Sequence, residues 1–540
     1  MKTQTLFIVF VFLLCSPASA SVRVPSFFSD HMVLQSGQKV PVWGWAEPGE
    51  AVLVSIAGQT KKAKANKKGS WKVTLDALES SAVPTVMRVE GKDRTITVRD
   101  VLVGEVWICS GQSNMQWRVS QSMDAEEEIA AAEHPGIRMF LTELQTAAEP
   151  QQDTVGHWAV CHPESVGEFS AVGYYFGRKL HEELGVPVGM IRTAWGGTRS
   201  EAWTSKEAIE ADEAAVPMMA AWKEVRESWD MEIAQEKYEV DLANWEEQMA
   251  RVKAMNAELP AGEEKRRFPR RPEVPVEPAT NRHHPSAIYN AMIAPFGGYG
   301  MSGAIWYQGE SNRQRAEQYR SIFPTMIANW RELWGDDFSF YFVQLANFLE
   351  PATEPGTPSA WAELQEAQLM TLSALEEVGM AVANDIGAAD DIHPTNKQEV
   401  GRRLALWALA NDYGRDDLVH SGPLFKKMRA KKGRAIITFD HVGGGLAIRD
   451  GGEKLARFEI AGADREWHWA DAKIRGKRVI VSSPEVPEPV AVRYAWASNP
   501  DGANLVNEEG LPASLFRTDD WEGMTDGVQD PFSPEAMRRE

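Results

Sequence analysis

The sequence predicts an α/β protein in which a parallel-sheet domain lies between two smaller all-β units. Two changes of pattern carry this. From Val101 to about Tyr413, β-type runs alternate with longer helical patterns, the mark of a parallel sheet with helical crossovers. On either side, short β-type runs are broken by Gly- and Pro-containing turns, the spacing of small sandwiches. A chain of 540 residues also exceeds what one core serves, so several units are expected.

In order, residues 1–20 read as a cleavable secretory signal: Lys2, an apolar run from Leu6 to Leu14, then Ala18-Ser19-Ala20 as a small-x-small cleavage site. The protein is therefore expected to be secreted or periplasmic. No later stretch approaches the roughly 20 apolar residues of a membrane span. Residues 21–100 form the first β unit, with runs at Lys39–Trp45, Ala51–Ile56, Gly69–Leu75, Thr85–Val89 and Arg94–Val98. Residues 101–415 form the α/β domain. Its strand candidates are Glu105–Ser110, Val188–Thr193, Gly303–Tyr307, Phe338–Leu345 and Val378–Asn384. Its helix candidates are Ala171–Leu184, Ala316–Trp334, Trp361–Leu375 and Thr395–Asn411, the last with a Thr395/Gln398 capping box. A charged helical insertion at about 205–285 interrupts the alternation and ends in a Pro- and Arg-rich return, with Lys265, Arg266, Arg267, Arg270 and Arg271 read as solvated. A second β unit follows over 416–520, and the acidic tail 521–540 is expected to lack structure.

A formal net charge of −20 excludes nucleic acid and anionic membranes as natural partners and is compatible with a glycan. Cys109 and Cys161, the two cysteines beyond the signal, are too few for a disulfide framework and are read as unpaired.

Ligands of an open parallel sheet collect at the carboxyl ends of its strands. Four such ends carry chemistry: Gly111-Gln112-Ser113-Asn114, Trp195-Gly196-Gly197-Thr198, Gln308-Gly309-Glu310-Ser311-Asn312 and Asp390-Asp391-Ile392-His393. A serine hydroxyl needs an imidazole to take its proton, and the imidazole needs a carboxylate to orient it. Ser113, His393 and Asp390 supply those roles. Asp391 would have to reach past the backbone of His393, so Asp390 is preferred. An oxyanion hole needs fixed donors, which Gly196 or Gly197 can offer from the backbone and Gln308 or Asn312 from a side-chain amide. Glu310, acceptor-only when ionised, is assigned to support the Ser113 loop. Gln112, Asn114, Asn290 and Arg199 are candidates for support or substrate contact, Arg199 for a substrate carboxylate.

Gly-Gln-Ser-Asn-Met at 111–115, Trp-Tyr-Gln-Gly-Glu-Ser-Asn at 306–312 and Asp-Asp-Ile-His-Pro-x-Asn-Lys at 390–397 resemble the signature blocks of the sialate O-acetylesterase family of SGNH hydrolases. Trp195-Gly-Gly-Thr and Tyr289-Asn-Ala-Met-Ile-Ala-Pro are similar to further segments of it. The resemblance implies a flavodoxin-like α/β/α domain between β-sandwich-like units, acting on an O-acetylated glycan without cofactor or metal. It implies an acyl-enzyme on Ser113, His393 as base, Asp390 as its orienter, and an oxyanion hole from the Ser113 amide, a glycine of the Trp195 loop and Gln308. The third block departs from the superfamily's Gly-x-Asn-Asp, which is why Gln308 ranks above Asn312.

Three rival readings rank lower: a glycan-binding protein with a decayed site, a glycosidase pairing Glu310 with Asp390 or Asp391, and a metal site from His283, His284 and His393, whose spacing suits no ligand set. Acetyl xylan or another acetylated polysaccharide is the alternative substrate.

Overall fold

The computed structural model describes residues 21–260, 266 and 268–537, so the signal segment lies outside the described residues, as do Lys265 and Arg267 of the basic run. The architecture is mixed α/β with β-rich sheets towards the C-terminus. Seven strands form the central sheet in the order Gly156–Cys161, His134–Thr142, Val188–Ala194, Thr95–Gly111, Gly303–Tyr307, Ser339–Val343, Val378–Ala381. All neighbours are parallel except the first pair. Counting only the five strands expected from sequence, the spatial order is 2-1-3-4-5, the flavodoxin-like winding. Helices Ala171–Leu184 and Lys397–Asn411 pack together, as do Ala316–Trp334 and Ala360–Ala374.

The strand Thr95–Gly111 runs through both sheets and joins the first β unit to the α/β domain. Sequence divides it at Arg99-Asp100. The structure keeps it whole, because Asp100 takes a left-handed φ of 53° and its carboxylate is held by Arg138 (2.6 Å) and His31 (2.6 Å). One apolar core extends from Val22 to Leu409, and a second lies under the C-terminal sheets.

Several local expectations change. Asn396, not Thr395, caps the last helix of the α/β domain, its side chain accepting from Glu399 N at 3.1 Å. The insertion holds helices Lys206–Ala211, Val216–Glu227 and Met231–Glu258, and the last buries none of its residues. Arg270 pairs with Glu273 and Arg271 lies over Trp245. The tail is docked as far as Phe532. Thr525 is bonded to Glu363 and Phe532 packs on Trp222. Cys109 and Cys161 are free and buried, and burial pushes both thiols up to about 12, which makes them inert packing groups.

Candidate active site

In a 2-1-3-4-5 sheet the crevice opens where the chain reverses direction, between the first and third strands. Those are Thr95–Gly111 and Gly303–Tyr307, which pair in register up to Gly111 opposite Tyr307. Gly111 has φ 137°, and a Cβ there would lie 2.2 Å from the Tyr307 carbonyl oxygen, so no other residue fits the turn. Gln112 N then donates to Tyr307 O (3.0 Å), and a single helical turn, Ser113–Gln116, begins. Ser113 is its first residue, and its hydroxyl makes no hydrogen bond among the described residues.

The Ile392-His393 loop is fastened to this turn from two sides. Asn114 Nδ2 donates to Ile392 O at 3.0 Å, and the His393 ring stacks on Trp117, centroids 4.9 Å apart and planes within 13°. Trp117 is four residues after Ser113 and closes the turn by donating its N–H to Ser113 O (2.8 Å). The Asp391 carboxylate lies beside the imidazole, its Oδ1 3.4 Å from Nδ1. The same oxygen accepts the His393 N–H at 2.9 Å in a local turn, which draws the Asp391 side chain back over the residue it was expected to bypass. Burial lowers the His393 imidazole below its ordinary value, with Asp391 opposing part of that shift. Activity that needs neutral His393 therefore rises along an acid limb centred below pH 6.5, to be read from the pH dependence of kcat/KM on an aryl acetate.

Asn114 is the hub behind the serine. Besides Ile392 it donates to Glu310 Oε1 (2.6 Å), and its own Oδ1 accepts from Lys397 Nζ. Lys397 is fully buried at the start of a helix, an unfavourable position for a cation that the Glu310 and Asp391 carboxylates only partly offset, and its bond fixes which way the Asn114 amide faces. Burial brings the Lys397 amine down to about 7 and raises the Glu310 carboxyl. Gln112 Oε1 accepts from Ser311 N (3.2 Å), a further tie between the first and third loops.

Two of the amides expected at an oxyanion are engaged with other groups. Gln308 spends its amide on Thr198 O (3.2 Å) and Asn312 Oδ1 (2.6 Å), while Asn312 Nδ2 donates to Glu201 Oε2 (2.9 Å). Both amides are internal braces because the pair Glu201–Arg315 lies directly beneath and organises them. Gly196 approaches so closely that a Cβ would lie 3.2 Å from Ser113 Cβ, but its N–H is taken by Gln116 Oε1 at 2.8 Å. Gly197, at φ 73°, and Ser113 keep backbone N–H groups without an acceptor among the described residues. Asn290 is buried, its amide donating to Ala147 O at 3.0 Å.

Arg199 follows the glycine loop and has no hydrogen bond or ion pair from its guanidinium among the described residues. Burial and then Arg315 lower it to about 10, so it stays cationic at neutral pH. His283 beside it is held neutral, near 3, chiefly by burial. Gln116, Trp117 and the buried Lys397 are the site residues that sequence reasoning did not single out. The helical spacing from Ser113 would have flagged Trp117.

The family model described as carbohydrate esterase, sialic acid-specific acetylesterase matches residues 103–239 and 280–410. The chain is 31% identical to the sialate O-acetylesterase of Mus musculus over 89% of this chain and 91% of the mouse protein. The chain belongs to this family. It is 29% identical to the sialate O-acetylesterase of Homo sapiens, with 89% of each chain covered. A solved structure of a carbohydrate acetylesterase from Xanthomonas citri superimposes with a TM-score of 0.77 and 38% identity, covering 93% of this chain and all of that one. The protein is a carboxylic ester hydrolase of the carbohydrate esterase type.

Proposed function

We propose that the protein is an exported O-acetylesterase that removes acetyl groups from sialic acid or a related acidic glycan through a serine acyl-enzyme. The observation that carries the mechanism is the fastening of His393 to the Ser113 turn by Trp117 and Asn114, with Asp391 at the imidazole. Ser113 Oγ attacks the acetyl carbonyl as His393 takes its proton, and the Ser113 and Gly197 N–H groups receive the oxyanion. His393 then returns the proton to the departing sugar oxygen. Water, deprotonated by the same imidazole, releases acetate and restores the serine. Arg199 supports an anionic substrate, since a largely buried guanidinium without a hydrogen bond or ion pair among the described residues gains most from a ligand carboxylate. Export rests on the signal read over residues 1–20.

The test is acetate release from O-acetylated sialic acids, acetylated xylan and an aryl acetate, by wild type and Arg199→Met. The expected result is preference for the sialic acids and loss of about tenfold or more of kcat/KM on them in the variant, with aryl acetate spared. Release from xylan alone, with Arg199→Met without effect, moves the natural substrate to a neutral polysaccharide.

A further inference from the structure

A second cleft lies apart from Ser113, between the first β unit and the α/β domain. Its volume is about 530 Å³, within the range of small-ligand sites. One wall is the antiparallel ribbon of Val40–Trp45 with Ser70–Leu75. The run Val-Pro-Val-Trp-Gly-Trp alternates buried and half-buried positions, so Trp43 and Trp45 emerge on the same face of their strand. Two residues along a strand span ~7 Å, a spacing that lets both indoles meet one or two pyranose rings. Directly across the ribbon Trp43 faces Lys72 and Trp45 faces Ser70, which puts an ammonium beside the aromatic pair.

Both indoles are held in place by neighbouring groups. Trp43 packs on Phe27 and Phe28, with centroids at 5.6 and 5.0 Å. Trp45 lies under Arg23 (4.8 Å), and its Nε1 donates to Gln152 Oε1 at 2.9 Å. The platform is therefore set before any ligand arrives, which lowers the ordering cost of binding.

The charge of the cleft runs against that of the chain. In a protein of net charge −20, no Asp or Glu lines it, and both charged residues that do are lysines, Lys64 and Lys72. Neither has a carboxylate within ion-pair distance among the described residues, whereas Lys61 on the same strand as Lys64 is paired with Asp76 at 2.7 Å. The opposite wall offers Gln151, Gln152 and the 294–297 turn. Gln151 N is bonded to Asn290 O (2.7 Å), and the 143–155 loop follows the carboxyl end of His134–Thr142, the end of the parallel sheet at which Ser113 also lies.

We infer that this cleft is a glycan-binding subsite for a carboxylate-bearing sugar, whose ring stacks on Trp43 and Trp45 while its carboxylate meets Lys72 and Lys64. The inference goes beyond the esterase reading and does not depend on it, because the ligand need carry no acetyl group. An acidic glycan held here anchors the substrate to the enzyme without entering the catalytic crevice.

The test is calorimetric titration of the full chain with unacetylated trigalacturonate, sialyllactose and, as the neutral control, xylotriose. The expected result is binding of one or both acidic oligosaccharides and not of xylotriose. In Lys64→Gln/Lys72→Gln the dissociation constant should rise about tenfold, with aryl acetate hydrolysis at the wild-type level. Trigalacturonate binding alone points to uronic acids, and sialyllactose binding alone to sialic acid. Both lysines are exposed, so the double variant tests the site without threatening the fold. Trp45→Ala should abolish what binding remains. Absence of acidic-sugar binding, equal binding of xylotriose, or an unchanged constant in the lysine variant overturns the proposal. Loss of acetate release in the separate esterase assay leaves it untouched.

Discussion

Ser113→Ala is expected to abolish ester hydrolysis and leave the melting temperature unchanged. The hydroxyl makes no hydrogen bond to any described residue, so removing it orphans no partner. Ser113 is the first residue of its helical turn and not the cap, a position held by Gln112, so no capping bond is lost either. Alanine is also well tolerated in a helical turn. The catalytic loss is large because no other group in the site replaces an alkoxide nucleophile. Removal of the serine in hydrolases of this mechanism costs roughly 10⁶ in kcat, and the oxyanion donors alone retain about 10³–10⁴ over water. The measurement is aryl acetate turnover beside thermal unfolding of the same sample. Wild-type turnover in the variant would remove Ser113 from the chemistry.

What was legible in the sequence was what local pattern determines. Gly303–Tyr307, Ala171–Leu184 and Ala316–Trp334 stand where the apolar runs place them, the two helices stopped by Gly185 and Gly335 in left-handed conformations. The strands His134–Thr142 and Gly156–Cys161 were missed. The first begins His-Pro-Gly and carries Arg138, a buried cation whose partner Asp100 is 38 residues away and so invisible to a local reading. That the Ser113 turn, the His393 loop and the glycine loop lie together followed from strand ends. The finer roles did not, because they depend on which way amides and carboxylates turn. The place of Asp391 beside the imidazole depends on a backbone hydrogen bond two residues on. Gln308 and Asn312 are drawn inward by a buried ion pair, and Lys397, which the sequence shows only as the end of a motif, is among the most buried groups at the site.

That ion pair sets the second large expectation, that Arg315→Met destabilises the α/β domain by about 3–5 kcal/mol. The Glu201 side chain is 0% exposed and the Arg315 side chain 2%, so the variant leaves a carboxylate in the interior with its cation gone. Burial by itself would raise the Glu201 carboxyl. Arg315, with Arg199 and the Asn312 amide, reverses that and holds it below its ordinary value of 4.5. A group with a depressed folded value contributes its stability above the unfolded value, and loses it as pH falls through the folded one. The gap between wild type and Arg315→Met should therefore be widest above about pH 4.5 and narrow in more acidic solution, where Glu201 of the variant is protonated. Denaturant unfolding at neutral and acidic pH measures it through tryptophan fluorescence, since Trp203 and Trp306 are fully buried in the first core. Glu201→Gln/Arg315→Met should recover part of the loss by removing the stranded charge, and no recovery would mean that packing rather than charge was lost. The same variant tests the site. Glu201 accepts from Asn312, Asn312 from Gln308 and Ser200, and Gln308 donates to Thr198 O, so slackening the pair frees the Trp195–Thr198 loop that carries Gly197, the proposed oxyanion donor. Aryl acetate kcat should fall in Arg315→Met even where the domain remains folded, but by less than in Ser113→Ala, because the nucleophile and its base are still in place.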